Sequence, residues 1–282
     1  MNTPTARKIP VQERPCRLRV GTSGYSYTEW NEAGFYPPQT PASRMLSHYA
    51  GIFSITELNY TWYQMPREEA IERMRQRVPP GFLFAAKLTR TLTHEIDPQG
   101  WPDQARAYRD GIAPLVQAGQ LAAVLIQLPP TFERSVRNRR YLAALLAALE
   151  GLPLAVEFRS ADWAVDRVFE SLARRRAALA AVDAPGLPGL FPPVAEVTCP
   201  EFFYIRFHGR NAAGWRSGHM QKQFDYDYTE AELKEWIAPR IVHMAGQARA
   251  GFIFFNNHVR AQAPRNAQTL MRLLSEAGLN VG

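Results

Sequence analysis

The run Phe202–Asn211 reads Phe-Phe-Tyr-Ile-Arg-Phe-His-Gly-Arg-Asn and carries Arg206, His208, Gly209 and Arg210 within five residues. A guanidinium fork matches phosphate or carboxylate bidentately. An imidazole titrates near neutrality and is the natural group to move a proton. The first half of the run is aromatic and β-branched, the composition of a strand buried on both faces. Side chains two apart on a strand point the same way, so Arg206 and His208 share a face. Ending a buried strand in two aligned ionisable groups is costly unless something compensates them.

The same pattern, an apolar run that stops at polar groups, recurs along the chain. Ile52–Leu58 ends in Glu57 and Asn59, Phe82–Ala86 in Lys87, and Leu121–Ile126 in Gln127. Leu154–Val156 ends in Glu157 and Arg159, Ala178–Val182 in Asp183, and Phe252–Phe255 in Asn256 and Asn257. Leu18–Val20 runs into Gly21-Thr22-Ser23-Gly24, which could offer backbone N–H groups to an anion but lacks the P-loop lysine. It also lacks the spacing of a nucleophile elbow, so Ser23 is not read as a hydrolase nucleophile.

Three chemistries fit these ends. Lys87, Arg159, Arg206 and Arg210 would hold an anion, with Glu157 and His208 moving protons beside Lys87. Asn59, Gln127, Asn256 and Asn257 would orient the ligand. Alternatively, Glu57, Glu157, Asp183 and His208 offer oxygen and imidazole ligands to a divalent metal. The cations on the same rim oppose that metal, and no cofactor is expected. The third option is a self-satisfied ring of salt bridges, which three acids and three cations allow. Burying paired charges is often no better than apolar packing, so stability alone explains so many groups poorly.

Such ends need a scaffold that brings them together. Helical stretches separate the apolar runs: Ser43–Ala50, capped by Ser43 and stopped at Gly51, then Pro66 to about Val78, Pro102–Ala118 and Asn138–Leu149. Asp166–Arg176, Thr229–Gln247 and Pro264–Ala277 follow, while the Pro-rich Ala184–Pro200 replaces most of a sixth helix. Eight strand–helix units imply a parallel sheet, and eight is the number that closes a (β/α)₈ barrel, usually of about 250 residues. In that fold the chemistry sits at the C-terminal strand ends, and the loops after strands seven and eight commonly hold phosphate. Tyr25, Tyr27, Trp30, Tyr60, Trp62 and Tyr63 fall in loops on the same rim, to pack a lid or to stack on a ligand.

The 282 residues divide into a disordered N-terminal tail, 1–15, and one barrel domain, 16–282. With 46% hydrophobic and 21% charged residues the composition is that of a globular protein. No segment has the apolar length of a membrane span, and the tail is not a signal peptide. Cys16 and Cys199 are lone thiols without metal spacing, which suggests a reducing cytoplasm. The net charge of +7 invites a nucleic-acid partner. Only four of the cations are lysine, however, and the densest arginine clusters, 134–140 and 174–176, read first as solvated helix faces.

Taken in order, the chain resembles the family labelled domain of unknown function 72, also called YecE-like. The match runs through Gly21-Thr22-Ser23-Gly24 with Trp30 and Phe35-Tyr36-Pro37, Glu57-Leu58-Asn59 with Tyr63, and Lys87 with Thr93-His94. It continues through Gln127-Leu128-Pro129-Pro130, Val156-Glu157-Phe158-Arg159 with Trp163, Tyr204–Arg210, and Phe255-Asn256-Asn257 with Asn266-Ala267. Tyr25, Ser160-Ala161 and Ala261-Gln262-Ala263 depart from the family pattern beside the pocket. The resemblance implies a TIM-like barrel and no settled activity. Barrels of similar shape include metal-dependent DNA-repair endonucleases and sugar isomerases, an analogy of fold alone. The expectation is an enzyme with hydrolase- or lyase-like acid/base chemistry on an anionic, phosphorylated or nucleotide-like small molecule. The alternatives are a non-catalytic binder of nucleic acid or an anionic effector, and a metal-dependent phosphodiesterase.

Overall fold

The computed structural model describes residues 15–282, so the tail expected over 1–15 lies outside the described residues but for Pro15. Eight parallel strands form a TIM-like barrel: β1 (Arg17–Thr22), β2 (Ile55–Leu58), β3 (Leu83–Lys87), β4 (Leu121–Gln127), β5 (Leu154–Glu157), β6 (Ala178–Asp183), β7 (Phe202–Phe207) and β8 (Ala250–Phe255). Helices join successive strands except between β6 and β7, where the Pro-rich segment runs without one. A ninth strand, β9 (Asn280–Val281), pairs with β1 at Arg17 and Leu18 and was not expected.

The interior shows why these sequences share one barrel. Alternate residues of β7 and β8 point inward as tilted aromatic pairs, Phe202 against Phe252 and Tyr204 against Phe254, with centroids 5.4 and 5.0 Å apart. They meet small inward residues of β3 to β6: Ala85, Ala123, Ala155, Ala178 and Ala180. Large against small fills the space without overpacking, and burying each ring contributes roughly 1.5–3 kcal/mol. One step up, the same inward period brings Glu57, Lys87, Gln127, Glu157, Arg206 and Asn256 to the C-terminal mouth.

The seam between β1 and β2 closes differently from the rest. At the mouth it is a single bridge, Ser23 to Glu57. Below it, the Tyr49 hydroxyl accepts from Thr22 N–H at 2.8 Å and donates to the Ile55 carbonyl at 3.1 Å. A side chain at Gly21 would meet that carbonyl at 2.2 Å, so only glycine fits. At the far end β9 sits beside β1, and the Ser54 hydroxyl donates to the Gly282 carbonyl.

Two helix expectations need correction. The helix over Ala42–Ala50 starts from Pro41, with Ser43 inside it and not at its cap. The stretch from Thr229 is a helix over Glu230–Trp236, opened by a Thr229–Glu232 capping box. It passes through a π-helical stretch, Ile237–Val242, because Pro239 has no N–H to donate.

Candidate functional site

Arg206 lies at the centre of the mouth and is fully buried. Its two terminal nitrogens donate to Glu157 Oε2 and Glu57 Oε1, each at 2.6 Å, and the Tyr204 hydroxyl donates to the other Glu57 oxygen at 2.7 Å. Burial opposes the guanidinium charge, but Glu157 and Glu57 outweigh it and hold Arg206 above its ordinary range. Burial likewise opposes the Glu157 charge, and there Arg159 and Arg206 win, keeping the carboxyl well below its usual range. A carboxylate so held is a weak base.

His208 is buried over this cluster, its Nε2 3.0 Å from Arg159 Nη2 and 3.3 Å from Glu157 Oε1, its Nδ1 3.0 Å from the Asn256 amide. Burial, reinforced by Arg159, pushes its pKa down to about 3. At neutral pH it is an uncharged ring wedged between partners, and it does not reach the cavity surface.

Lys87 differs from both arginines. It is half-buried on the cavity wall and has no carboxylate partner among the described residues, and its Nζ lies 5.0 Å above the Trp62 ring. Burial first, then Arg206, pushes the amine down to about 7, against the pull of Glu57 and Glu157. The expected balance of three acids and three cations does not hold, because Asp183 turns away. Its oxygens accept from Arg210, the Tyr228 hydroxyl and Trp236 Nε1, at 2.8, 2.6 and 2.6 Å. Two carboxylates therefore face Lys87, Arg159 and Arg206, and the excess positive charge falls on Lys87.

The same contacts correct the expected anion loop and metal set. Arg210 is spent on Asp183 and Glu235 outside the cavity. Gly209 N–H donates to the Tyr228 hydroxyl, and Asn211 caps the short helix Ala212–Arg216. Asn257 is buried against Tyr226 and Asn266 and does not line the cavity. The N–H groups of Thr22, Ser23 and Gly24 bond Tyr49, Phe255 and Glu57, so none is free for an anion. With Asp183 diverted and both glutamates held by arginine, Glu57, Glu157, Asp183 and His208 do not form a metal cluster, and none of three or more ligands occurs among the described residues.

Above the cluster opens a cavity of about 940 Å³. Every βα loop contributes to it. Asn59, Lys87, Gln127, Arg159, Arg206 and Asn256 line it from the strand ends. The loop aromatics occupy two kinds of position. Tyr27, Trp62 and Tyr63 line the cavity, whereas Trp30 is buried beneath, its indole donating to the His258 carbonyl at 2.8 Å.

Sequence reasoning missed several wall residues. Trp215, Gln221 and Gln223 come from two short helices after β7 and Phe224 from the turn that follows them, while Glu29 after β1 and His258 after β8 meet at 3.4 Å. His94 lines the cavity and contacts Trp62 Nε1 at 3.3 Å. Its place in the Lys87–His94 motif was the one available signal. Arg159 stacks over Trp215, 5.1 Å from its centroid. A second depression of about 280 Å³ lies between the helices Val136–Ala148 and Asp166–Arg174. Arg134, Arg139, Arg167, Arg174 and Arg175 line it, so both basic clusters of the sequence meet there.

Known proteins share this architecture across nearly the whole chain. YunF of Bacillus subtilis, a UPF0759 protein, is 28% identical over 271 residues, covering 91% of this chain and 94% of YunF. The crystal structure of the DUF72 family protein TM1631 from Thermotoga maritima superposes with a TM-score of 0.83 at 32% identity, over 92% of this chain and 99% of that one. The DUF72 protein EF0366 from Enterococcus faecalis gives a TM-score of 0.82 at 26% identity, over 92% and 95%. The family described as "Protein of unknown function DUF72" matches residues 19–281, and the chain belongs to that family.

Proposed function

We propose that the cavity is the active site of an enzyme acting on a small anionic molecule, with Lys87 as its charge-bearing and proton-transferring group. One observation carries the reading: among the described residues Lys87 is the cation of the mouth left without a carboxylate, and it faces the cavity. Arg159 adds a second, partly neutralised charge, and Asn59, Gln127 and Asn256 offer polar groups to orient the ligand. Glu57, Glu157 and His208 hold Arg206 and Arg159 in place. The proton-moving role expected of Glu157 and His208 passes to the amine, whose pKa lies near the operating pH. The fixed positive potential favours substrates whose charge grows more negative in the transition state.

Phosphorylated and carboxylated metabolites should therefore raise the melting temperature of the full chain. Lys87→Met should abolish that rise, and Arg210→Ala should leave it. An undiminished rise in Lys87→Met would remove the proposed site. The arginine-lined depression favours a second reading, a non-catalytic polyanion binder, because no acid among the described residues lines it.

A further inference from the structure

Lys87 is a primary amine on the cavity wall whose proton is disfavoured by burial and by the neighbouring Arg206 and Arg159. The two carboxylates that would favour the ammonium, Glu57 and Glu157, are already held by Arg206 and Arg159, and the Trp62 ring covers one side of the amine. A lysine desolvated beside other cations is activated as a nucleophile toward carbonyl carbon. The cavity before it has room for a small molecule and, through Arg159, a second point of attachment for an anionic group. We propose that Lys87 forms a Schiff base with an aldehyde or ketone bearing a carboxylate or phosphate group. The inference rests on the reading of Lys87 as the ligand-facing cation and narrows its substrate class.

The step balances without an external oxidant or reductant. The neutral amine's lone pair attacks the carbonyl carbon, forming the C–N bond, and the carbonyl oxygen takes up the proton the nitrogen loses. The resulting hydroxyl leaves with one further proton from solvent as water, and a protonated imine remains. That imine is an electron sink for breaking a C–H or C–C bond next to the former carbonyl, which accords with lyase-like chemistry.

The chain has four lysines, of which Lys222 and Lys234 are exposed, so site-selective trapping is readable. The full chain is incubated with pyruvate, or with glyceraldehyde 3-phosphate, then reduced with cyanoborohydride and mapped by peptide mass. The expected product is one reduced adduct at Lys87, formed on the order of tenfold or more faster than at Lys222 or Lys234, because ordinary lysines are almost fully protonated at neutral pH. Comparing the two carbonyl compounds separates a carboxylate preference from a phosphate one. Lys87→Arg keeps the charge but cannot form an imine, so it should lose the adduct while retaining thermal stabilisation by inorganic phosphate. Adducts spread evenly over the lysines, or no adduct in either arm, would overturn the inference, and mapping the wild type decides this even if Lys87→Arg fails to fold. No adduct, but a preserved anion-induced shift, would leave the proposed site standing. Loss of both would end both readings.

Discussion

The cations Lys87, Arg159 and Arg206 look alike in sequence, each at or near the end of an apolar run, and the fold gives them different fates. Their positions were legible because strand side chains alternate and this architecture gathers strand ends. Their partners were not legible, because which carboxylate each cation meets depends on barrel closure. Asp183 shows this best: adjacent in type to Glu57 and Glu157, it is drawn outward by Arg210, Tyr228 and Trp236. Arg206, expected to clamp an anion, instead neutralises two buried carboxylates. Lys87 should therefore carry a stability cost. Its amine is lowered from 10.5 to about 7 in the folded chain, so between those pH values the unfolded chain binds more protons and stability rises with pH. Of the charged groups facing it, Arg206 is held above its ordinary range and Glu157 below, so neither titrates in that window. Lys87→Met should raise the melting temperature at pH 7, and the gain should shrink toward pH 10. Melting curves at several pH values check this, and a destabilised variant at neutral pH would show that the amine is not strained.

Strands were the most legible elements, since each apolar run is bounded by turn residues and ends in polar ones. β9 was not, because two residues carry no periodic signal and its pairing depends on where the chain returns. The helices Ala212–Arg216 and Met220–Gln223 were missed for the same reason, and with them part of the cavity wall. The seam between β1 and β2 is the element-level feature that most needs its own residue. Tyr49 satisfies a buried N–H on one strand and a carbonyl on the other, bonds that elsewhere in the barrel are made strand to strand. Tyr49→Phe keeps the ring and leaves both groups unpaired, which should cost about 1–3 kcal/mol. Denaturant unfolding measures it, and a loss below about 0.5 kcal/mol would mean that β1 and β2 close the seam without the hydroxyl.

At the scale of the whole molecule, two positively charged regions compete as the place where anions act: the cavity at the strand ends and the arginine-lined depression between outer helices. They differ in depth, and depth sets the response to salt. Arg137, Arg139 and Arg140 are exposed at the helix that walls the depression, where charges are screened by dissolved ions. A polyanion held there releases counterions, so its affinity should fall steeply with salt, with a log–log slope of about −0.9 for each duplex phosphate neutralised. A small ligand beside Lys87 sits within the barrel mouth, and its binding should depend less on salt. We expect phosphorylated metabolites to stabilise the wild type similarly at low and moderate salt, and a variant with Arg137, Arg139 and Arg140 changed to Ala to respond as the wild type does. Short oligonucleotides should bind weakly if at all at moderate salt and lose their low-salt binding in that variant. Stabilisation by oligonucleotides alone, abolished by the triple variant and untouched by Lys87→Met, would move the function from the cavity to the outer helices.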